Sequence, residues 1–151
     1  MSTLARTGWG LPDPDRSPAA YAGVPFKRLV AWLIDGIAIL ALTFVASVLT
    51  LGIGFLLFFG LMLLIGFVYR TVSLAAASAT PGMWFAGVEL LTDRGERFDG
   101  TAAFLHTLGY TVSVAIPILQ VASIVLMLVS ARRQGLTDHI LGTAAVNRGL
   151  R

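Results

Sequence analysis

The chain has no cysteine, so it carries neither a disulfide framework nor a thiolate metal or redox site. It has little charge: Asp, Glu, Lys and Arg together make up 13% of its 151 residues, and only Glu89 and Glu96 are glutamates. Paired carboxylates at catalytic spacing are missing, as are a glycine-rich phosphate loop, a GxSxG elbow and an HExxH helix. No residues for enzymatic chemistry are visible, and none for a metal or a cofactor. The first twenty residues, with three prolines and mixed charge, have no apolar stretch to serve as the core of a cleavable signal peptide.

What is abundant is apolar. Hydrophobic residues make up 56% of the chain and its mean hydropathy is +0.82, which leaves too little polar surface for a water-soluble globule of this size. The net charge of +3 is no nucleic-acid footprint, because the cations fall in ones and twos outside the apolar runs. Their positions are better explained by membrane topology.

From Gly36 to Tyr69 no residue is charged, and as one helix that run would be roughly 50 Å long, far more than a bilayer core of roughly 30 Å. The chain must therefore turn back within it, and the glycine-dense break Thr50-Leu51-Gly52-Ile53-Gly54 is where it can. The spans expected are about 29–50 and about 54–72, a transmembrane hairpin. Lys27 and Arg28 flank its start, and Tyr69 and Arg70 its end, aromatics and cations suited to the headgroup region. Beyond it, Pro81 and Gly82 break whatever helix precedes them. Val88 to Thr92 reads as a short strand followed by a turn at Asp93-Arg94-Gly95, outside the hydrocarbon.

The third apolar segment, about 101–130, is interrupted at Pro117 and has three readings: one long tilted helix kinked at the proline, an interfacial helix followed by a span, or two half-spans returning to the same side. Three spans would put seven cations (Arg6, Arg16, Lys27, Arg28, Arg70, Arg94, Arg97) on one side and four (Arg132, Arg133, Arg148, Arg151) on the other. If the segment enters and leaves on one side, all eleven share a side, which fits the positive-inside rule far better and makes both termini cytoplasmic. The organisation expected is a flexible cytoplasmic tail at 1–20, a membrane domain at 21–148 and a short tail at 149–151. In fold class this is an all-α membrane protein: a transmembrane helical hairpin plus a third membrane segment, broken or not, with a small cytoplasmic strand element.

Asp35 is the most informative single residue. It lies inside an otherwise apolar helix, where an ionised carboxylate costs on the order of 2.5–3.5 kcal/mol at mid-membrane. Arg28 precedes it by seven positions, on almost the same helix face but roughly 10 Å away along the axis. Asp138, in Gly135-Leu136-Thr137-Asp138-His139, is the third charged candidate. Each has a bland reading beside the functional one. Arg28 suits a snorkelling headgroup anchor as well as a pairing role; Asp35 a structural salt bridge or hydrogen-bonded packing role, or an ion or proton pathway; Asp138 a helix cap. His106 and His139 are auxiliary candidates. His106 reads first as an interfacial polar residue and His139 as exposed or outside the inner cluster, since the two lack metal-ligand spacing. Gly109 and Ser113 form a small-residue pair that admits a close helix neighbour.

From about Tyr21 to Val146 the chain resembles the RDD family of small bacterial integral membrane proteins. The resemblance is carried by YAGVPFKRLVAWLID with Arg28 and Asp35, TPGMWFAGVELLTDRGE, and GLTDHILGTAAV with Asp138. It implies a bacterial inner (cytoplasmic) membrane protein in which Arg28, Asp35 and Asp138 form a signature charged cluster, expected to converge near the cytoplasmic interface. One departure is His106, where the family often carries an arginine. The activity implied is unassigned. The first expectation is an accessory, assembly or structural subunit of a larger membrane complex; the alternative is an ion- or proton-coupled transport component. The partners implied are the lipid bilayer and either further copies of the chain or another membrane protein, with no nucleic acid and no cofactor.

Overall fold

The computed structural model describes residues 10–149. In chain order it contains α1 (Val24–Leu49), α2 (Ile53–Leu56), α3 (Phe58–Ala77), α4 (Pro81–Ala86), β1 (Val88–Leu91), α5 (Gly100–Ala115), α6 (Pro117–Val129), α7 (Leu136–Leu141) and β2 (Ala144–Asn147), preceded by a single 3-10 turn at Pro18–Ala20. The protein is mostly helical, with two helices long and apolar enough to cross a membrane and a third candidate in the bent pair α5 and α6.

α1 is polar inside and apolar outside. From Ala31 onward its buried residues, Ala31, Asp35, Ile39, Thr43 and Ser47, recur every four positions and so form one stripe, while Leu33, Ile37, Leu40, Phe44 and Val48 are exposed. In water that arrangement would be unfavourable. In lipid, apolar side chains gain nothing by hiding and polar ones must find partners. Thr43 and Ser47 do so locally, each donating to the carbonyl four residues earlier, Ile39 and Thr43 respectively.

The hairpin turn falls where the glycines lie. Leu51 and Gly52 both take positive φ, and Thr50 Oγ1 accepts from Gly54 N. A β-carbon on Gly54 would stand 2.6 Å from Ser47 Cα, so only glycine lets the returning chain pass this close. The returning helix runs to Ala77 rather than ending near 72. The small residues from Ser73 onward include good helix formers, and the chain leaves the helix only at Ser78, with φ of 55°. α1 likewise begins at Val24, one turn ahead of the expected 29.

The third apolar segment is not one helix with a gentle kink. Ile116 is extended, Pro117 opens a new helix, and the axes of α5 and α6 differ by 116°. α7 lies across both arms of this V: Thr137 meets Gly109 of α5, and Leu136 N donates to Ser123 Oγ of α6. The start of α5 and the segment after α6 therefore lie together, at the end of the molecule that also holds the start of α1.

That end carries the core. Val24, Ala31, Leu74, Met83, Val88, Leu90, Phe98, Ala103 and Ala145 pack there as one cluster. Residues 88–91 are strand as expected, and they pair antiparallel with 144–147, in register Val88↔Asn147 to Leu91↔Ala144, where no strand was expected. Asn147 fastens this strand to the chain start, donating to Ala19 O (2.8 Å) and Ala22 O (2.9 Å) while accepting from Lys27 Nζ (2.7 Å). The expected loose tail at 1–20 also needs correcting over its described part. Leu11 is only 5% exposed and clusters with Tyr21, Leu91, Ala144 and Val146, Gly10 N donates to Asp93 O, and Tyr21 Oη donates to Pro12 O. Apolar Leu11 gains from burial against the sheet, which a tail free in water would forgo. Residues 1–9, with Arg6, and 150–151 of the closing tail lie outside the described residues.

Candidate functional site

The two inner carboxylates make two separate sites. Asp138 is the third residue of α7, and its Oδ2 reaches back to accept from Gly135 N at 3.0 Å, closing the first turn of the helix. The same oxygen meets Arg28 Nη1 of α1 at 2.5 Å. Its other oxygen, Oδ1, meets His106 Nε2 of α5 at 2.9 Å and accepts from Thr143 Oγ1 at 3.0 Å. An ionised carboxylate only accepts, so in this arrangement Nε2 carries the hydrogen. Asp138 is completely buried. Burial by itself raises its pKa, but the Arg28 charge and the bonds and charges of His106 and Arg28 outweigh it and hold the carboxyl well below the usual carboxylate range. Three elements distant in sequence are thereby tied at one point, with the Phe98 ring edge-on to the imidazole at 5.5 Å.

Asp35 has neutral partners. Tyr69 Oη of α3 donates to its Oδ1 (2.8 Å), Thr80 Oγ1 donates to its Oδ2 (2.5 Å), and Gly82 N donates to Oδ1 (2.9 Å). Thr80 also caps α4, its hydroxyl accepting from Met83 N. The approach is tight, since a β-carbon on Gly82 would stand 2.3 Å from the Ala31 carbonyl oxygen and 2.8 Å from Asp35 Oδ1. Asp35 thus seats the cap of α4 on α1.

The expected convergence of Arg28, Asp35 and Asp138 is therefore corrected to a pair and a separate clasp. Among the described residues no ion pair or hydrogen bond joins Asp35 to either of the others. The reason is the axial distance between Arg28 and Asp35 on one helix, which different partners fill. His106, expected first at the interface, is buried against Asp138. His139 is exposed, its Nδ1 against Gly135 O (2.9 Å) within its own helix. Sequence reasoning missed Thr143, Tyr69 as a ligand of Asp35, and Thr80. Of these only Thr80 carried a signal, as a threonine directly before a proline that opens a helix.

Arg28, His106 and Asp138 line one wall of a cleft of about 940 Å³ between α1, α5, α6 and α7. Leu29, Trp32, Ile124 and Met127 make much of the rest, with Trp32 Nε1 donating to Tyr110 Oη (2.8 Å). Among the described residues no group of three or more His, Cys, Asp or Glu is placed to hold a metal ion. Chemically, the arrangement offers saturated carboxylates and an amphipathic cleft. No curated protein and no solved structure matches the chain. The model of the RDD family matches residues 22–142, a range that holds Arg28, Asp35, His106 and Asp138, and on that match the chain belongs to the RDD family.

Proposed function

We propose that the protein is a non-catalytic, accessory or structural subunit of a larger membrane complex, and that its two carboxylates are internal clasps. The observation that supports this is their saturation: Asp138 has four partners and Asp35 three, all from this chain. The deeper polar groups of α1, Thr43 and Ser47, bond to their own helix, so among the described residues of α1 Asp35 has no polar relay leading on across roughly 30 Å of hydrocarbon. In this reading the protein is multi-pass in a bacterial cytoplasmic membrane with both termini cytoplasmic. α1 and the α2–α3 arm cross, and the α5–α6 V enters and leaves on the cytoplasmic side. The juxtaposition of Asn147 with Ala19 and the positions of the cations support that arrangement.

A second reading, an ion- or proton-coupled transport component, draws on the contact of His106 with Asp138 beside the cleft. Purification in mild detergent tests the first: a defined partner membrane protein should co-migrate on a native gel, and proteoliposomes of the chain alone should show no ion flux. Robust flux from the purified chain, abolished by Asp35→Asn or His106→Ala, would overturn it. A reporter active only outside the cytoplasm should be silent when fused after Arg151, and strong activity there would refute the topology.

A further inference from the structure

The cleft is lopsided in charge and open to the side. Arg28 and Arg133 both line it, against the single carboxylate of Asp138. Arg28 meets that carboxylate through Nη1, and its side chain is 19% exposed. At the other end, near the apex of the V, the lining groups are Ser113 and Gln120, which bond one another (3.1 Å) and are uncharged. Between the two ends the wall is mostly apolar, with Leu29, Trp32, Ile124 and Met127 beside Tyr110 and Ser123. The flank is apolar and exposed: Phe26 and Leu29 are exposed, and α6 has no buried residue at all. At about 940 Å³ the space lies near the upper end of small-molecule sites and is far larger than a bare ion needs.

We propose that this cleft holds one anionic phospholipid, with the phosphate at the Arg28 and Arg133 end and an acyl chain along Leu29, Ile124 and Met127. A laterally open, apolar slot lets a chain enter from the bilayer without leaving hydrocarbon. The surplus of cations at one end selects a negative head over a zwitterionic one, as basic pockets between membrane helices do. The proposal rests on the protein being embedded in a membrane and not on its accessory role, so failure of either leaves the other standing.

The test uses the full chain with Trp9→Phe and Trp84→Phe, so that Trp32, on the cleft wall, is its sole tryptophan. The protein is reconstituted in phosphatidylcholine vesicles containing a minor fraction of brominated phosphatidylglycerol or, in parallel, of brominated phosphatidylcholine. Brominated phosphatidylglycerol should quench Trp32 at lower mole fraction than its zwitterionic counterpart. Arg133→Gln should lower that preference about fivefold, the order expected for one cation near a lipid headgroup. Arg133 also ties the end of α6 through the Leu128 carbonyl. A second variant, Met127→Phe, therefore fills the slot without touching charge, and it should remove the preference while the purified protein still runs as one species. Equal quenching by both lipids would overturn the proposal, as would a preference unchanged in both variants. Full reversal of the quenching by added inorganic phosphate would assign the site to a small soluble anion instead and equally overturn it.

Discussion

Replacing Asp35 by asparagine and by leucine separates a hydrogen-bonding clasp from an ionic role. With asparagine, the amide oxygen can take the Oδ1 position and keep both Tyr69 Oη and Gly82 N. The amide nitrogen then faces Thr80 Oγ1, which can accept if it turns its own hydrogen away. One charge-assisted bond is lost, at a cost of about 1–2 kcal/mol. Leucine removes the acceptor for all three donors. The Tyr69 and Thr80 hydroxyls can rotate, but the Gly82 N–H cannot, and the branched side chain presses on a backbone that already leaves no room for a β-carbon. With about 1–3 kcal/mol for the stranded Gly82 N–H and about 1–3 kcal/mol for the overpacking, the total is about 2–6 kcal/mol. At about 2–4 °C per kcal/mol for a chain of this size, asparagine should lower the melting temperature by about 5 °C and leucine by about 15 °C. The assay is the surviving monodisperse fraction on size exclusion in mild detergent after heating. Equal losses from the two variants would show that Asp35 acts through its charge, and wild-type stability of Asp35→Leu would show that the contact does not hold α4.

Arg28→Leu strands the buried Asp138 carboxylate beside His106 and should cost about 3–5 kcal/mol, read as loss of membrane accumulation; unchanged accumulation would refute the pairing. Gly82→Ala should reduce thermal survival as severely as Asp35→Leu, because its β-carbon would meet the Ala31 carbonyl, whereas Gly60→Ala, with nothing within 4 Å, should be neutral. The folded-state pKa of Asp138 lies below its ordinary value of 3.8, so its contribution to stability is fully present above that value and is lost as pH falls below it. The difference in thermal stability between wild type and Asp138→Asn should therefore be flat from pH 7 to about pH 5 and shrink below about pH 4; a difference that grew on acidification would contradict the sign.

What the sequence could determine alone is what each stretch of chain prefers as a solvent. Transfer of Gly36 to Tyr69 into lipid depends only on its own side chains, so the hairpin, its turn at Gly52 and Gly54, the strand at Val88–Leu91 and the break at Pro117 were all legible. The charged residues of interest were equally visible, since an ionisable group in apolar surroundings stands out wherever it finally sits. Their pairing was not. Arg28 and Asp138 are 110 positions apart, and the partners of Asp35 are a tyrosine, a threonine and a backbone amide, none of which departs from its surroundings in charge. The sharpness of the bend at Ile116 and Pro117 was hidden for a related reason. A proline permits a kink, a break or a reversal, and the choice fell to α7, which reaches both arms through Thr137 and Leu136. Local preference sets which elements form and where they rest in a membrane, whereas contacts between remote, mostly uncharged groups decide which carboxylate meets which partner, and those exist only once the chain is folded.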